Sequence, residues 1–318
     1  KNLSVFFICK CIFTFSSIFV TIKKIFMKRS LKDYIIISLK GMAMGAADVV
    51  PGVSGGTIAF ISGIYEELLN SISSFNLSLF SVLKNEGFKK VWKMVNGRFL
   101  LALFIGICIS VLSLAKLIEN LLENHPILIW SFFFGLVLAS IIYIAKQIKI
   151  WNIKCYLYLI FGLIFAYYIT TLNPVISQNS SPWFLFLAGM IAICAMILPG
   201  ISGSFILVLL GAYKPVIGGI KNLIEVIKAG EYSELITVGL PIGIFAIGCL
   251  VGLLTFSRVL SWLFKKHEKL TLATLTGFMI GSLNKIWPWK EVLQYRKNSH
   301  GEEIPFISLA TTFPINAN

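Results

Sequence analysis

Charge is what this sequence has least of. Of its 318 residues only 13% are Asp, Glu, Lys or Arg, while 57% are hydrophobic and 14% aromatic. A water-soluble domain needs a charged exterior around its core, so that class is excluded. Histidine is rarer still: His125, His267 and His300 are too far apart in sequence to suggest a metal site. The six cysteines show neither a disulfide framework nor the spacing of zinc ligands. Four of them lie in apolar runs, where a thiol packs as a small hydrophobe. No G-x-x-x-x-G-K-[ST] pattern occurs, which argues against ATP drive within this chain. No cofactor and no metal are expected.

What is present is a series of apolar segments, roughly 34–65, 99–122, 127–145, 155–172, 183–210, 236–262 and 270–287. Most approach or exceed the roughly 20 residues that cross a bilayer as a helix. The expected class is an all-α polytopic membrane protein. The net charge of +14 sits largely in short loops, as the positive-inside bias predicts. No zinc-finger, RNA-binding or helix-turn-helix pattern accompanies it, so nucleic acid is not an expected partner.

Loop charge sets an orientation. Residues 84–98 carry Lys84, Lys89, Lys90, Lys93 and Arg98 against Glu86, and 146–154 carry three lysines. Both read as cytoplasmic, as does the basic stretch at 28–32. The uncharged loop 173–182 reads as external. Segment 34–65 therefore enters and leaves on the same side. Its length suffices for two half-helices, so it reads as a re-entrant hairpin with "PGVSGG" at the tip. Segment 183–210 reads as a second hairpin, entered from outside. Lys285, Lys290, Arg296 and Lys297 would then lie outside, against the bias, which leaves the side of the C-terminus open. Met27, followed by Lys28, Arg29 and Lys32, looks like a natural cytoplasmic start. The favoured reading makes residues 1–26 upstream sequence; an extra helix and a signal-like segment are the alternatives.

The two hairpins resemble one another. "ADVVPGVSGGTIAF" and "AMILPGISGSFILV" break an apolar run in the same way. At one offset Gly41 pairs with Gly189, Pro51 with Pro199, Gly52 with Gly200, Ser54 with Ser202, Gly55 with Gly203 and Gly63 with Gly211. At a second offset Gly106 pairs with Gly248, Lys116 with Arg258, His125 with His267 and Gly135 with Gly277. Each half reads as a re-entrant hairpin followed by two transmembrane helices. A single linking helix inverts the second half. The expected division is an N-terminal segment 1–33, repeat 1 at 34–154, a linker at 155–182, repeat 2 at 183–290 and a tail at 291–318. Inverted repeats with broken helices are characteristic of secondary transporters.

The residues at the breaks suit an anion. Pro51 and Pro199 stop a helix. Gly52, Gly55, Gly56, Gly200 and Gly203 permit tight turns and close approach. Ser54, Thr57, Ser202 and Ser204 supply hydroxyls. A half-helix restarting after each tip, near Thr57 and near Phe205, points unpaired N–H groups and a partial positive charge into the site. Two such ends make a cradle for phosphate. Close helix packing alone explains the glycines but not the duplicated Pro and Ser. Lys40, Lys116 and Arg258 are candidate substrate cations, although Lys116 and Arg258 sit where side chains also snorkel. Asp48, replaced by Met196 in the second half, either carries a coupling proton or caps backbone N–H groups.

At these residues the chain resembles a known family. "KGMAMGAADVVPGVSGGTIAFISGIYEEL", "LPGISGSFILVLLGAY" and "GSLNKIWPWK" are similar to the motifs of the DUF368 family of bacterial membrane proteins, over about Met27 to Lys290. The resemblance implies a polyprenyl-phosphate transporter that returns undecaprenyl phosphate between leaflets of the bacterial cytoplasmic (inner) membrane, for reuse in cell-envelope polymers. It implies a lipid-linked phosphate as partner, within membrane lipid, and is compatible with a homo-oligomer. The residues by themselves leave a small-anion secondary transporter open. An enzyme is disfavoured, because neither His125 nor His267 lies near a Ser-bearing tip in sequence.

Overall fold

The computed structural model describes residues 29–50, 53–76, 78–172, 181–230, 234–291, 294–297, 303–306 and 310–311. Pro51, Gly52 and residues 1–26 lie outside this set, and so does the side chain of Lys116.

The first helix, α1 (Leu31–Val49), starts with a capping box. The Ser30 hydroxyl accepts from the Asp33 amide, and the Asp33 carboxylate takes the Ser30 amide. After the first tip come α2 (Gly55–Ile61) and α3 (Tyr65–Ser73). The chain returns beside α1. Asp48 meets Gly55, the Lys40 ammonium donates to the Ser62 carbonyl (2.6 Å), and Arg29 pairs with Glu67 (2.6 Å). Contact positions climb one arm of the hairpin as they descend the other, so the two arms run antiparallel. Glu67 also accepts from Asn96, and it holds the Arg29 guanidinium charged, above its ordinary range.

The basic loop that follows is not structureless. It contains α4 (Ser78–Glu86) and α5 (Phe88–Met94). Two long apolar helices, α6 (Gly97–Asn124) and α7 (Pro126–Gln147), then meet at His125, and Pro126 opens α7 where a missing N–H costs nothing. Next is α8 (Ile153–Thr171), capped by Asn152, whose side chain accepts from the Cys155 amide (2.9 Å). The second broken segment is α9 (Pro182–Ile197) and α10 (Gly203–Leu210). The chain then bends by 106° into α11 (Tyr213–Ala229).

The last long helix, α12 (Leu235–Ser282), is interrupted at His267, where φ is −135° and ψ 41°. Its 48 residues would reach about 72 Å if straight. A hydrocarbon core is only about 30 Å thick, so α12 is two crossings joined at His267. His125 has nearly the same backbone angles, φ −137° and ψ 52°. A 3-10 turn, Leu283–Ile286, ends the helical body. Beyond it the tail departs from an all-α reading. In it β1 (Lys290–Glu291) pairs with β4 (Ala310–Thr311), and β2 (Gln294–Lys297) with β3 (Glu303–Phe306), both antiparallel.

Helix crossings depend on glycine. In α1 and α6, a Cβ on Gly41 would collide with the Leu103 carbonyl and one on Gly106 with the Ser38 carbonyl. In α9 and α12, a Cβ on Gly189 would lie 2.5 Å from the Phe245 carbonyl oxygen, and one on Gly248 would collide with the Phe186 carbonyl. The partners occupy equivalent sequence positions in the two crossings. Gly45 on Ile107 and Gly252 on Met190 continue each contact in the same direction, so each helix pair packs parallel.

Among the described residues four helices are long and apolar enough to cross a membrane, α12 counted once, and α10 with α11 would add a fifth. Phe104, Leu112, Phe161, Ile164 and Leu250 are exposed on them. Lipid accepts such a surface, whereas water penalises it. The chain is a multi-pass membrane protein. Its interior includes Phe60, Tyr65 and Phe264 in mutual edge-to-face contact, 4.9–6.3 Å between ring centres, which fastens α2 and α3 to α12.

Candidate functional site

The two tips meet. Helix α9 ends at Ile197, which leaves its last carbonyls without partners inside the helix. At membrane depth each would be costly. The first half supplies the donors. Ser54 Oγ donates to the Met196 carbonyl (3.0 Å), and the Tyr65 hydroxyl donates to the Ile197 carbonyl (3.1 Å). In the other direction, the Gly200 amide donates to Thr57 Oγ1 (3.0 Å). Gly56 must be glycine here, since a Cβ would sit 2.6 Å from the Ile197 carbonyl oxygen. Ser54, Thr57, Tyr65, Pro199 and Gly200 are all buried.

The half-helices restart at Gly55 and Gly203, two residues earlier than the sequence suggests. Their N-termini differ. At α2 the Gly55 amide donates to Asp48 Oδ1 (2.7 Å), and the Gly56 amide to Ser54 Oγ (3.1 Å). The first tip thus has its own anion in place. Of the two roles open to Asp48, the structure displays the cap. At α10 no side chain caps the helix, and Met196 stands where the first half has Asp48. Ser202 and Ser204 hydrogen-bond to each other (2.9 Å); Ser202 is buried and Ser204 exposed. Gly203 packs tightly, with no room for a Cβ 2.7 Å from the Ala192 carbonyl oxygen.

Gly200, at φ +88°, occupies a backbone region open to glycine. A Cβ there would also meet Ser282 Oγ at 2.7 Å and the Phe278 carbonyl at 3.0 Å. The second tip is therefore wedged between the first tip and the end of α12. One turn on, the Lys285 ammonium lies 4.2 Å from the centre of the Phe205 ring. Lys285 escaped the sequence analysis as a site residue, although it lies in the "GSLNKIWPWK" motif.

Of the other candidate cations, Lys40 is bonded to the Ser62 carbonyl at the end of α2. The exposed Arg258 donates to the Phe75 carbonyl (2.6 Å), just past α3. Of the residues expected at the site, the structure brings Ser54, Gly56 and Thr57 of one tip against the Met196–Gly200 stretch of the other, with Asp48 on Gly55 inside the first tip and Ser202 on Ser204 inside the second. It places Lys40 and Arg258 on backbone carbonyls of the segments that follow the first tip. Among the described residues no group of His, Cys, Asp and Glu could hold a metal ion.

A membrane protein whose two broken helical segments meet tip to tip is of the class that builds polar sites from interrupted helices. Residues 44–304 match the model of the undecaprenyl phosphate translocase-like family, and the chain belongs to that family. It is 51% identical over 277 residues to a polyprenyl-phosphate transporter of Vibrio cholerae serotype O1, covering 86% of this chain and 84% of that protein. It is 34% identical over 261 residues to a polyprenyl-phosphate transporter of Staphylococcus aureus, covering 79% and 85%. No solved structure matches.

Proposed function

We propose that this chain is a polyprenyl-phosphate transporter that carries undecaprenyl phosphate between the leaflets of the bacterial cytoplasmic membrane. Both relatives are named as transporters of polyprenyl phosphate, which favours the lipid over a free small anion and transport over an enzymatic role. The observation that carries the reading is the tip-to-tip junction. It puts the uncapped N-terminus of α10 and its serine pair at the meeting point of two broken segments. Helix N-termini of this kind hold phosphate, and an isoprenoid tail can remain in lipid while its headgroup is bound there.

The cradle is asymmetric in this reading. The first tip, Ser54 to Thr57 with Asp48 as its anion, is the platform. The second tip, Gly200 to Phe205, receives the phosphate. Lys40 and Arg258 tie off backbone carbonyls outside it in this state. The two halves are inverted repeats. The matched glycine crossings, the left-handed Gly63 and Gly211 (φ +71° and +76°) and the twin breaks at His125 and His267 support this. Parallel packing of α1 on α6 supports a re-entrant first segment, since the chain must return to its starting side between them. Movement of one repeat against the other would open the site to each leaflet in turn.

The test is a leaflet assay. Purified protein is reconstituted into liposomes carrying undecaprenyl phosphate in one leaflet, and its appearance in the other is followed with and without a proton gradient. Protein-dependent movement is expected. Uptake of inorganic phosphate with no lipid movement would overturn the proposal.

A further inference from the structure

We propose that Lys285 is the cation that binds the substrate's phosphate group and sets the site's preference for a phosphate monoester. The assignment rests on the transport reading above and names a residue that reading leaves out. Two contacts anchor the argument. Gly200 of the second tip packs on Ser282 and Phe278, which fixes the end of α12 against the tip. From there the 3-10 turn Leu283–Ile286 carries Lys285 to Phe205, the third residue of α10, where its ammonium lies 4.2 Å from the ring centre. The ring face holds the cation on the first turn of α10, at the residue that follows Ser204, and within a stretch of predominantly apolar sequence. An ion in such a setting is a functional candidate by default.

Charge balance points the same way. The carboxylate at the junction, Asp48, is spent on the Gly55 amide of the first tip, and its counterpart is Met196. The second tip therefore has two hydroxyls and no acidic side chain at the matching position. The Ser202–Ser204 pair has donor capacity left after its mutual bond. An ammonium with hydroxyl donors fits the oxygens of a phosphate monoester, and an aromatic face keeps the lysine stem in place for it. The neutral lipid alcohol would gain little from the same groups. Lys40 and Arg258, two of the three cations expected to serve the substrate, meet the Ser62 and Phe75 carbonyls.

Binding of farnesyl phosphate, farnesol and inorganic phosphate to the purified full chain in nanodiscs tests this, with Lys285→Gln and Lys285→Arg beside the wild type and melting temperature recorded for each. Lys285→Gln is expected to weaken farnesyl phosphate by about tenfold or more, leaving farnesol unchanged. Lys285→Arg is expected to keep most of the affinity. Farnesyl phosphate affinity undiminished in Lys285→Gln would overturn the role of Lys285 alone. Equal losses in Gln and Arg variants, with lowered melting temperatures, would make it a structural residue and overturn the proposal. Wild-type protein that binds inorganic phosphate as tightly as farnesyl phosphate would overturn the lipid headgroup as ligand. Absence of wild-type binding to farnesyl phosphate would overturn the transport reading and this assignment together.

Discussion

The amide of Gly200 donates to the hydroxyl of Thr57 across 143 residues of chain, and both groups are buried. This bond joins the tips of the two broken segments. Thr57→Val keeps the side-chain shape but removes the acceptor, stranding an N–H where no water replaces it. The expected cost is about 1–3 kcal/mol, read as a lower melting temperature in detergent. Thr57→Ser should restore most of it. An unchanged melting temperature in the valine variant would mean that the tips are not held together at this point.

Asp48 invites a comparison of two substitutions. Asparagine can still accept from the Gly55 amide, whereas alanine cannot. Loss of an N-terminal cap costs about 0.5–2 kcal/mol. Asp48→Ala should therefore lower stability and Asp48→Asn should not. If the carboxylate also carries a coupling proton, Asp48→Asn will move undecaprenyl phosphate without responding to a proton gradient. A gradient response equal to wild type in Asp48→Asn would reduce Asp48 to its capping role.

The glycine crossings predict matched sensitivity in the two halves. Gly106→Ala and Gly248→Ala each place a methyl group on a facing backbone carbonyl, Ser38 and Phe186 respectively. Both should lose most of their folded, monodisperse protein in detergent extracts. Gly218 and Gly243 have nothing within 4 Å of an added Cβ. Alanine there should be neutral or stabilise by up to about 1 kcal/mol. Tolerance of alanine at Gly106 with failure at Gly248 would break the equivalence of the crossings.

The helical body was legible because lipid imposes a simple rule: long apolar runs become helices, and breaks in them need Pro, Gly and hydroxyls. The break between Val49 and Gly55, the one around Pro199 and the turns at His125 and His267 could be placed from residue type and spacing. What escaped was set by long-range contacts. Nothing in the sequence states that Ser54, read as a substrate ligand, would also bond the Met196 carbonyl, or that Tyr65, which the reading did not single out, would bond that of Ile197. Lys285 was passed over because it ran against the loop-charge bias, although its place beside Phe205 depends on the packing of Gly200 on Ser282. Helix α11 was missed for a different reason. Its Lys214, Lys221 and Lys228, spaced by seven, mark one polar face, but they interrupt the apolar runs that guided the reading.

Arg258 supplies the sharpest division between a substrate ligand and a structural tie. Its guanidinium reaches the Phe75 carbonyl, and Ser261 on the same helix donates to Asn70 (2.7 Å), so α12 is fastened both to α3 and to the turn just past it. Because Arg258 is exposed, Arg258→Ala should cost below about 1 kcal/mol of stability. Affinity for polyprenyl phosphate should be retained, while the transport rate changes as the α3–α12 tie loosens. Combining it with Ser261→Ala should enlarge the rate effect, since the two bonds fasten α12 to α3 and to the turn just past it. The checking measurement is lipid affinity beside leaflet-exchange rate for the single and double variants. A loss of affinity in Arg258→Ala, with melting unchanged, would return the guanidinium to the substrate site.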